Sequence, residues 1–315
     1  MLDYLYSSKD SKPEYITHKH FKNIRGKEMV SVENLAYSTI LIECENHDGS
    51  RSSGTGFFVE LELNKETDEP MLVLVTNKHV VEEAKSLELV FTVSVSGMPT
   101  DKTHSISLDA FRLSWRFHPD VDVDLCALQL SDILSLARRD GIELMISPFT
   151  VQQIANKDDL QKMVHGEDVY MIGYPDGIRD TVNNQPIFRR GVLATSPRFD
   201  FEGKPHFLID MAVFHGSSGS PVVSIRYGMC VDTLRLVYRG FEKGKVKLLG
   251  VVFATHVHDS PGEIHEIATT NMMAITRIPN NLGAVVKADR IIELGPLFAV
   301  PNKVAKDTEA LDAAR

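Results

Sequence analysis

The stretch Gly216-Ser217-Ser218-Gly219-Ser220-Pro221 decides how this chain is read. Its glycines free the backbone to turn sharply, so a serine between them can stand exposed with amide N–H groups gathered beside it. A serine nucleophile needs that arrangement. Taken alone, the six residues could equally be a surface turn, because Gly, Ser and Pro are common turn formers. Their flanks weigh against that: Phe207 to Val213 and Val222 to Ile225 both read as buried strand. A turn between two strands of one core holds a catalytic group rigidly.

Two further segments carry partners for that serine. Met71 to Thr76 is an unbroken apolar strand that runs into Asn77-Lys78-His79-Val80-Val81 and then a short helical Glu82-Glu83-Ala84. Most histidines are surface or satisfied core residues, but His79 stands at a strand end, where a rigid scaffold can aim it. The second segment runs from His118 to Leu130, where Asp120, Asp122 and Asp124 alternate before an apolar run. In an extended segment all three share one face, and only Asp124, at the start of the run, can be drawn inward. Asp120 and Asp122 are expected to stay solvated. A metal site on the three carboxylates competes with this reading, but no further carboxylate nearby completes an oxygen cage.

These segments carry a resemblance. Gly216 to Pro221 resembles the nucleophile loop of trypsin-like serine peptidases, including high-temperature-requirement proteases and glutamyl endopeptidases, and Ser220 is the variant of the latter. Thr76 to Val81 is similar to their histidine segment, and Asp124-Leu125-Cys126-Ala127-Leu128 to their aspartate segment. Ile172-Gly173-Tyr174-Pro175-Asp176-Gly177 is similar to a strand and turn of the high-temperature-requirement proteases. The resemblance spans about residues 36 to 280. It implies a serine endopeptidase, with His79, Asp124 and Ser218 as the triad, spaced 45 and 94 residues apart. The N–H groups of Gly216 and Ser218 are the implied oxyanion donors. Ser217 stands where trypsin-like zymogens carry an aspartate that receives a new N-terminus, so activation through that ion pair is not expected.

The roles follow from chemistry. A serine hydroxyl is too weak an acid to attack an amide unaided, so a neutral imidazole must take its proton. A carboxylate must then fix the tautomer of that imidazole and stabilise its charged form.

The resemblance also places a pocket for the side chain before the scissile bond at Ala212, Phe253, Thr255 and His256. Ala212 stands six residues before Ser218, where an aspartate would select Arg or Lys. No strong preference for basic residues is expected, because a cation buried unpaired against Ala and Phe is costly. A small or apolar side chain is expected to be favoured, with an acidic one second.

A net charge of −9 and the lack of any Lys/Arg-dense block argue against nucleic acid or an anionic membrane surface as partner. The expected partner is a protein or peptide substrate, and no cofactor is called for. Cys44, Cys126 and Cys230 lie in apolar runs without Cys-x-x-Cys spacing and read as small buried hydrophobes, which points to a reducing compartment. Met1 to Lys27 lacks the roughly 7–15-residue apolar core of a secretory signal, and no run approaches the ~18 apolar residues of a membrane span. A soluble, cytoplasmic protein is expected.

The expected fold is all-β, the double six-stranded β-barrel of trypsin-like peptidases. Residues 1–33 form an N-terminal extension, 34–285 the peptidase domain divided near 131–165, and 286–315 a C-terminal helix and tail. Ser131 to Arg139 has helical spacing and Gly141 follows as a stop, which makes it a helical insertion between the halves. Ala288 to Leu294 reads as the closing helix. The 21 residues after it leave no room for an appended peptide-binding domain. Two other functions are compatible with the residues. One is a binding module that kept the fold without turnover. The other is a metal site at His256-Val257-His258 with Asp259, Glu263 or His265, because histidines two apart share one strand face.

Overall fold

The computed structural model describes residues 32–62, 70–226, 229–232, 237–241, 245–261 and 275–299. All but the last two residues of the N-terminal extension, and the polar tail, therefore lie outside the described residues.

The N-terminal half is built from strands β1 (Thr39–Asn46), β2 (Arg51–Glu62) and β3 (Pro70–Thr76), a one-turn helix α1 (Lys78–Val81), β4 (Ala84–Val95), β5 (Met98–Asp109), β6 (Arg116–Phe117) and β7 (Cys126–Gln129). Helix α2 (Ser131–Arg139) follows, then β8 (Glu143–Leu144) and β9 (Phe149–Thr150). The sheet order is β5-β4-β1-β2-β3-β7-β6, with the two-residue strands β8 on β4 and β9 on β2, nine strands among the described residues, and the mostly β architecture is that of the expected double barrel. After α3 (Lys157–Gln161) come β10 (Asp168–Gly173), β11 (Ile187–Leu193), β12 (His206–Asp210), β13 (Pro221–Arg226), β14 (Met229–Asp232), β15 (Val237–Phe241), β16 (Lys245–Pro261) and β17 (Ile275–Lys287). Six of these close a barrel in the order β10-β11-β12-β17-β16-β13, while β14 and β15 pair apart. Helix α4 (Asp289–Ile292) and a 3-10 turn, Gly295–Phe298, end the described chain.

The central strands are apolar without alternation because both of their faces are covered. In β3, Val73 and Val75 enter the core between the two halves, while Leu74 faces the interior of the first half. Phe57 and Val59 of β2 divide from Phe58 in the same way. The shared core takes Ile172, Val223, Val251 and Val286 from the second half, with Ile291 and Leu294 of the C-terminal segment sealing it. Burying each such side chain contributes roughly 1.5–3 kcal/mol, so the two halves are joined by a continuous apolar core.

Helix α2 has the bounds that its spacing predicts, and Gly141 ends it in the left-handed region with φ +71°. Two local expectations differ. The turn of helix after β3 begins at Lys78, so His79 lies inside it and not before it. The Asp120–Asp124 segment is a turn and not an extended strand: Asp120 Oδ1 accepts the Asp122 N–H at 3.0 Å, a local bond open to a short carboxylate.

Candidate active site

Strand β3 ends at Thr76, and α1 swings His79 toward the β6–β7 segment. There Nδ1 of His79 lies 2.5 Å from Oδ2 of Asp124. The other carboxylate oxygen, Oδ1, accepts the Lys78 N–H at 2.8 Å and the His79 N–H at 3.4 Å. Buried Asn77 donates from Nδ2 to the Asp124 carbonyl at 2.6 Å, which fixes the main chain behind that carboxylate. The Asp124 side chain is 23% exposed and that of His79 48%, so the pair opens onto solvent on the imidazole side. Cys126 lies behind it. Burial, and then the Asp124 charge, push its thiol far up, which leaves it inert.

The second half grips the aspartate turn from below. His206 Nε2 donates to the Asp122 carbonyl at 2.7 Å, and Lys204 pairs with the Asp122 carboxylate at 2.8 Å. That ion pair holds the Asp122 carboxyl below its usual range. Nε2 of buried His118 meets Glu293 at 3.0 Å, and its Nδ1 accepts the Asp120 N–H. Of the three aspartates, Asp124 faces the histidine, and the other two shape or anchor the turn.

The Gly216–Pro221 loop joins β12 to β13. Gly216 and Gly219 have φ of +79° and +85°, conformations open to glycine without strain. Its amides divide into two sets. Ser217 N–H donates to the Phe214 carbonyl, Gly219 N–H to Val252 and Ser220 N–H to Ser217, whereas no acceptor for the N–H of Gly216 or Ser218 occurs among the described residues. The two unpaired amides are those of Gly216 and of half-buried Ser218 itself, the two N–H groups free to meet an acceptor from outside the chain. No hydrogen bond links the His79 and Ser218 side chains among the described residues; such bonds are often long before substrate binds.

Thr55 of β2 ties the loop to the first half. Its N–H donates to the Ser218 carbonyl at 2.8 Å and its Oγ1 to the Gly216 carbonyl at 2.9 Å. A methyl group on Gly219 would land on the Thr55 carbonyl. On the other side, the Asp176 N–H donates to the His215 carbonyl at 2.5 Å. Sequence reasoning passed over Thr55, Asn77 and Asp176. A signal for Thr55 was present, since Gly54 and Gly56 in a strand mark close backbone approach, and side chains there would strike Val80 and Leu74.

The proposed pocket residues spread over two faces. Phe253 lies against the His206 ring, with centroids 4.5 Å apart. Thr255 pairs with Gly283 across β16 and β17 and donates to the Leu282 carbonyl at 3.4 Å. Val213 and Ile209 pack against Gly283 within the core of the second half, where an added methyl would crowd both, and Ala212 between them in sequence is half-buried. The His256 side chain lies outside the described residues, as do the side chains of the alternative metal cluster with Glu263 and His265. Cys44 and Cys126 are buried and free, and the Cys230 side chain is likewise outside. No described helix is long and apolar enough to cross a membrane.

The chain resembles several solved structures at low identity. An HtrA-type protease, AlgW, with a tripeptide aligns at 15% identity and TM-score 0.43, over 82% of this chain and 58% of that one. A thermostable serine protease, AL20, from an extremophilic microorganism aligns at 12% identity and TM-score 0.43, over 85% and 100%. The HL collagenase aligns at 11% identity and TM-score 0.46, over 85% and 96%. No curated protein matches the sequence. The model of the trypsin-like peptidase domain matches residues 54–231, more than half of the chain, and on that match this chain belongs to the trypsin-like peptidase family.

Proposed function

We propose that this chain is a serine endopeptidase in which Ser218 is the nucleophile, His79 the general base and acid, and Asp124 the carboxylate that orients His79. The 2.5 Å bond between His79 Nδ1 and Asp124 Oδ2 carries this reading, because it puts the proton on Nδ1 and leaves the Nε2 lone pair free. Nε2 then takes the Ser218 proton as Oγ attacks the substrate carbonyl carbon. The oxygen that becomes negative is met by the N–H groups of Gly216 and Ser218, which are already unpaired. The leaving amine takes the proton from Nε2, and water activated by the same nitrogen hydrolyses the Ser218 ester.

A small or apolar residue is favoured before the scissile bond, because a cation buried unpaired beside Ala212 is costly. No carboxylate is present at Ala212 to pair with a buried Arg or Lys.

A fluorophosphonate probe tests the reading, since it labels only an activated serine. Labelling of the wild type that is lost in both Ser218→Ala and His79→Ala is the expected outcome. Labelling that persists in Ser218→Ala would refute it. A peptide library tests the pocket, and selective cleavage after Arg or Lys would rule out the apolar assignment.

A further inference from the structure

We infer that Thr55 is a positioning residue that sets the oxyanion site from the opposite half of the molecule. This rests on the proposed role of Ser218 and deepens it. Thr55 is fully buried, and each of its polar groups is used. Its N–H holds the Ser218 carbonyl and its carbonyl accepts the Thr76 hydroxyl at 2.7 Å. Its own hydroxyl donates to the Gly216 carbonyl at 2.9 Å while accepting the Tyr174 N–H at 3.1 Å.

The two carbonyls that Thr55 holds belong to the two residues whose amides are left free. Peptide units are planar and trans, so each N–H points opposite to the carbonyl of its own unit. The unit before Gly216 is fixed by the Asp176 N–H, which draws the His215 carbonyl away and turns the Gly216 N–H to the other side. The unit after Gly216 is fixed by the Thr55 hydroxyl. Gly216 thus lies between two peptide planes that are both held, and its positive φ follows from their relative setting. One hydroxyl couples the two restraints. It binds the Gly216 carbonyl and also the Tyr174 N–H at the start of the turn carrying Asp176, and buried Tyr174 returns its phenol to the Thr39 carbonyl at 3.4 Å. Only a group that donates and accepts at once can serve here, and among side chains of this size a hydroxyl does so. Ser217 supplies no acid to orient the loop, so the cross-half lock takes that place.

The experiment compares wild type, Thr55→Val and Thr55→Ser for p-nitrophenyl acetate hydrolysis and for fluorophosphonate labelling, well below each thermal midpoint. Thr55→Val, of nearly equal shape, should lower kcat by roughly 10–100-fold with KM changed less than about 2-fold, because displaced donors weaken only transition-state binding. Thr55→Ser should restore most of the rate. Wild-type kcat in folded Thr55→Val overturns the proposal, as does a Thr55→Ser variant that is equally impaired, since a merely structural role would move the midpoint and not kcat. If Thr55→Val does not fold, Thr55→Cys, whose thiol is a weak donor, is judged by the same split. A wild type that neither hydrolyses nor labels overturns the Ser218 reading and this proposal together.

Discussion

Nδ1 of His79 lies 2.5 Å from Oδ2 of Asp124, while Oδ1 of the same carboxylate accepts the Lys78 N–H at 2.8 Å. The two oxygens therefore do different work, and a substitution that keeps the shape cannot keep both. In Asp124→Asn the Lys78 amide requires the oxygen on its side, which turns the new NH2 toward His79 and forces Nδ1 to accept. The proton then moves to Nε2, where the base is needed. A fall in kcat of about 10⁴ with little change in folding is expected, read by hydrolysis and thermal melting. Asp120→Asn and Asp122→Asn should be mild, and a crippling Asp122→Asn would show that the wrong aspartate has been assigned.

Ser218→Ala should lower turnover by on the order of 10⁶ and leave the fold intact, because it removes a half-buried oxygen without a structural bond. Ser220 differs. Its Oγ is buried with no partner among the described residues, so Ser220→Ala removes a desolvated polar atom and should leave stability unchanged or raised by about 1 kcal/mol. A marked loss of stability in Ser220→Ala would mean that the hydroxyl has a partner after all.

Gly216→Ala places a side chain where φ is +79° and where the Tyr174 carbonyl and the Asp176 and Gly177 amides crowd the site. The loop must shift, and its two amides with it. Labelling should slow on the order of 100-fold, and the backbone conformation should cost about 1–3 kcal/mol in an unfolding titration. Unchanged labelling would show that the Gly216 amide is not used.

His206 provides a pH signature. Burial holds its pKa below the usual value; the bond to the Asp122 carbonyl opposes this, Lys204 adds to the lowering, and Asp122 and Asp200 oppose it. The folded state therefore prefers the neutral ring, and between the lowered value and about 6.5 the unfolded chain binds more protons. Its stability contribution is complete above pH ~6.5 and is lost as pH falls through the folded value. Between pH 7.5 and 5.5 the thermal midpoint should fall further in wild type than in His206→Gln, which keeps a donor but cannot take up a proton. Equal falls would remove His206 as the source.

Local pattern alone determined a great deal here. The apolar runs of β3, β7 and β13, the helix at Ser131–Arg139 and the glycine-rich turn before Pro221 were legible because strand burial, helical period and positive φ leave marks within a few neighbouring residues. Order and spacing brought His79, Asp124 and Ser218 together as candidates, and the His79–Asp124 bond joins two of them. Tertiary structure decided what depends on distant partners. It anchored the turn of the aspartate segment to the second half, since Asp122 is held by Lys204 and His206 more than 80 residues away. It also turned Phe253 onto His206, and it brought Thr55 to the carbonyls of Gly216 and Ser218. A hydrogen bond carries no periodicity, and its partner is named only when the two halves close on their shared core; that is why the candidate side chains could be named from the sequence and the groups that hold them could not.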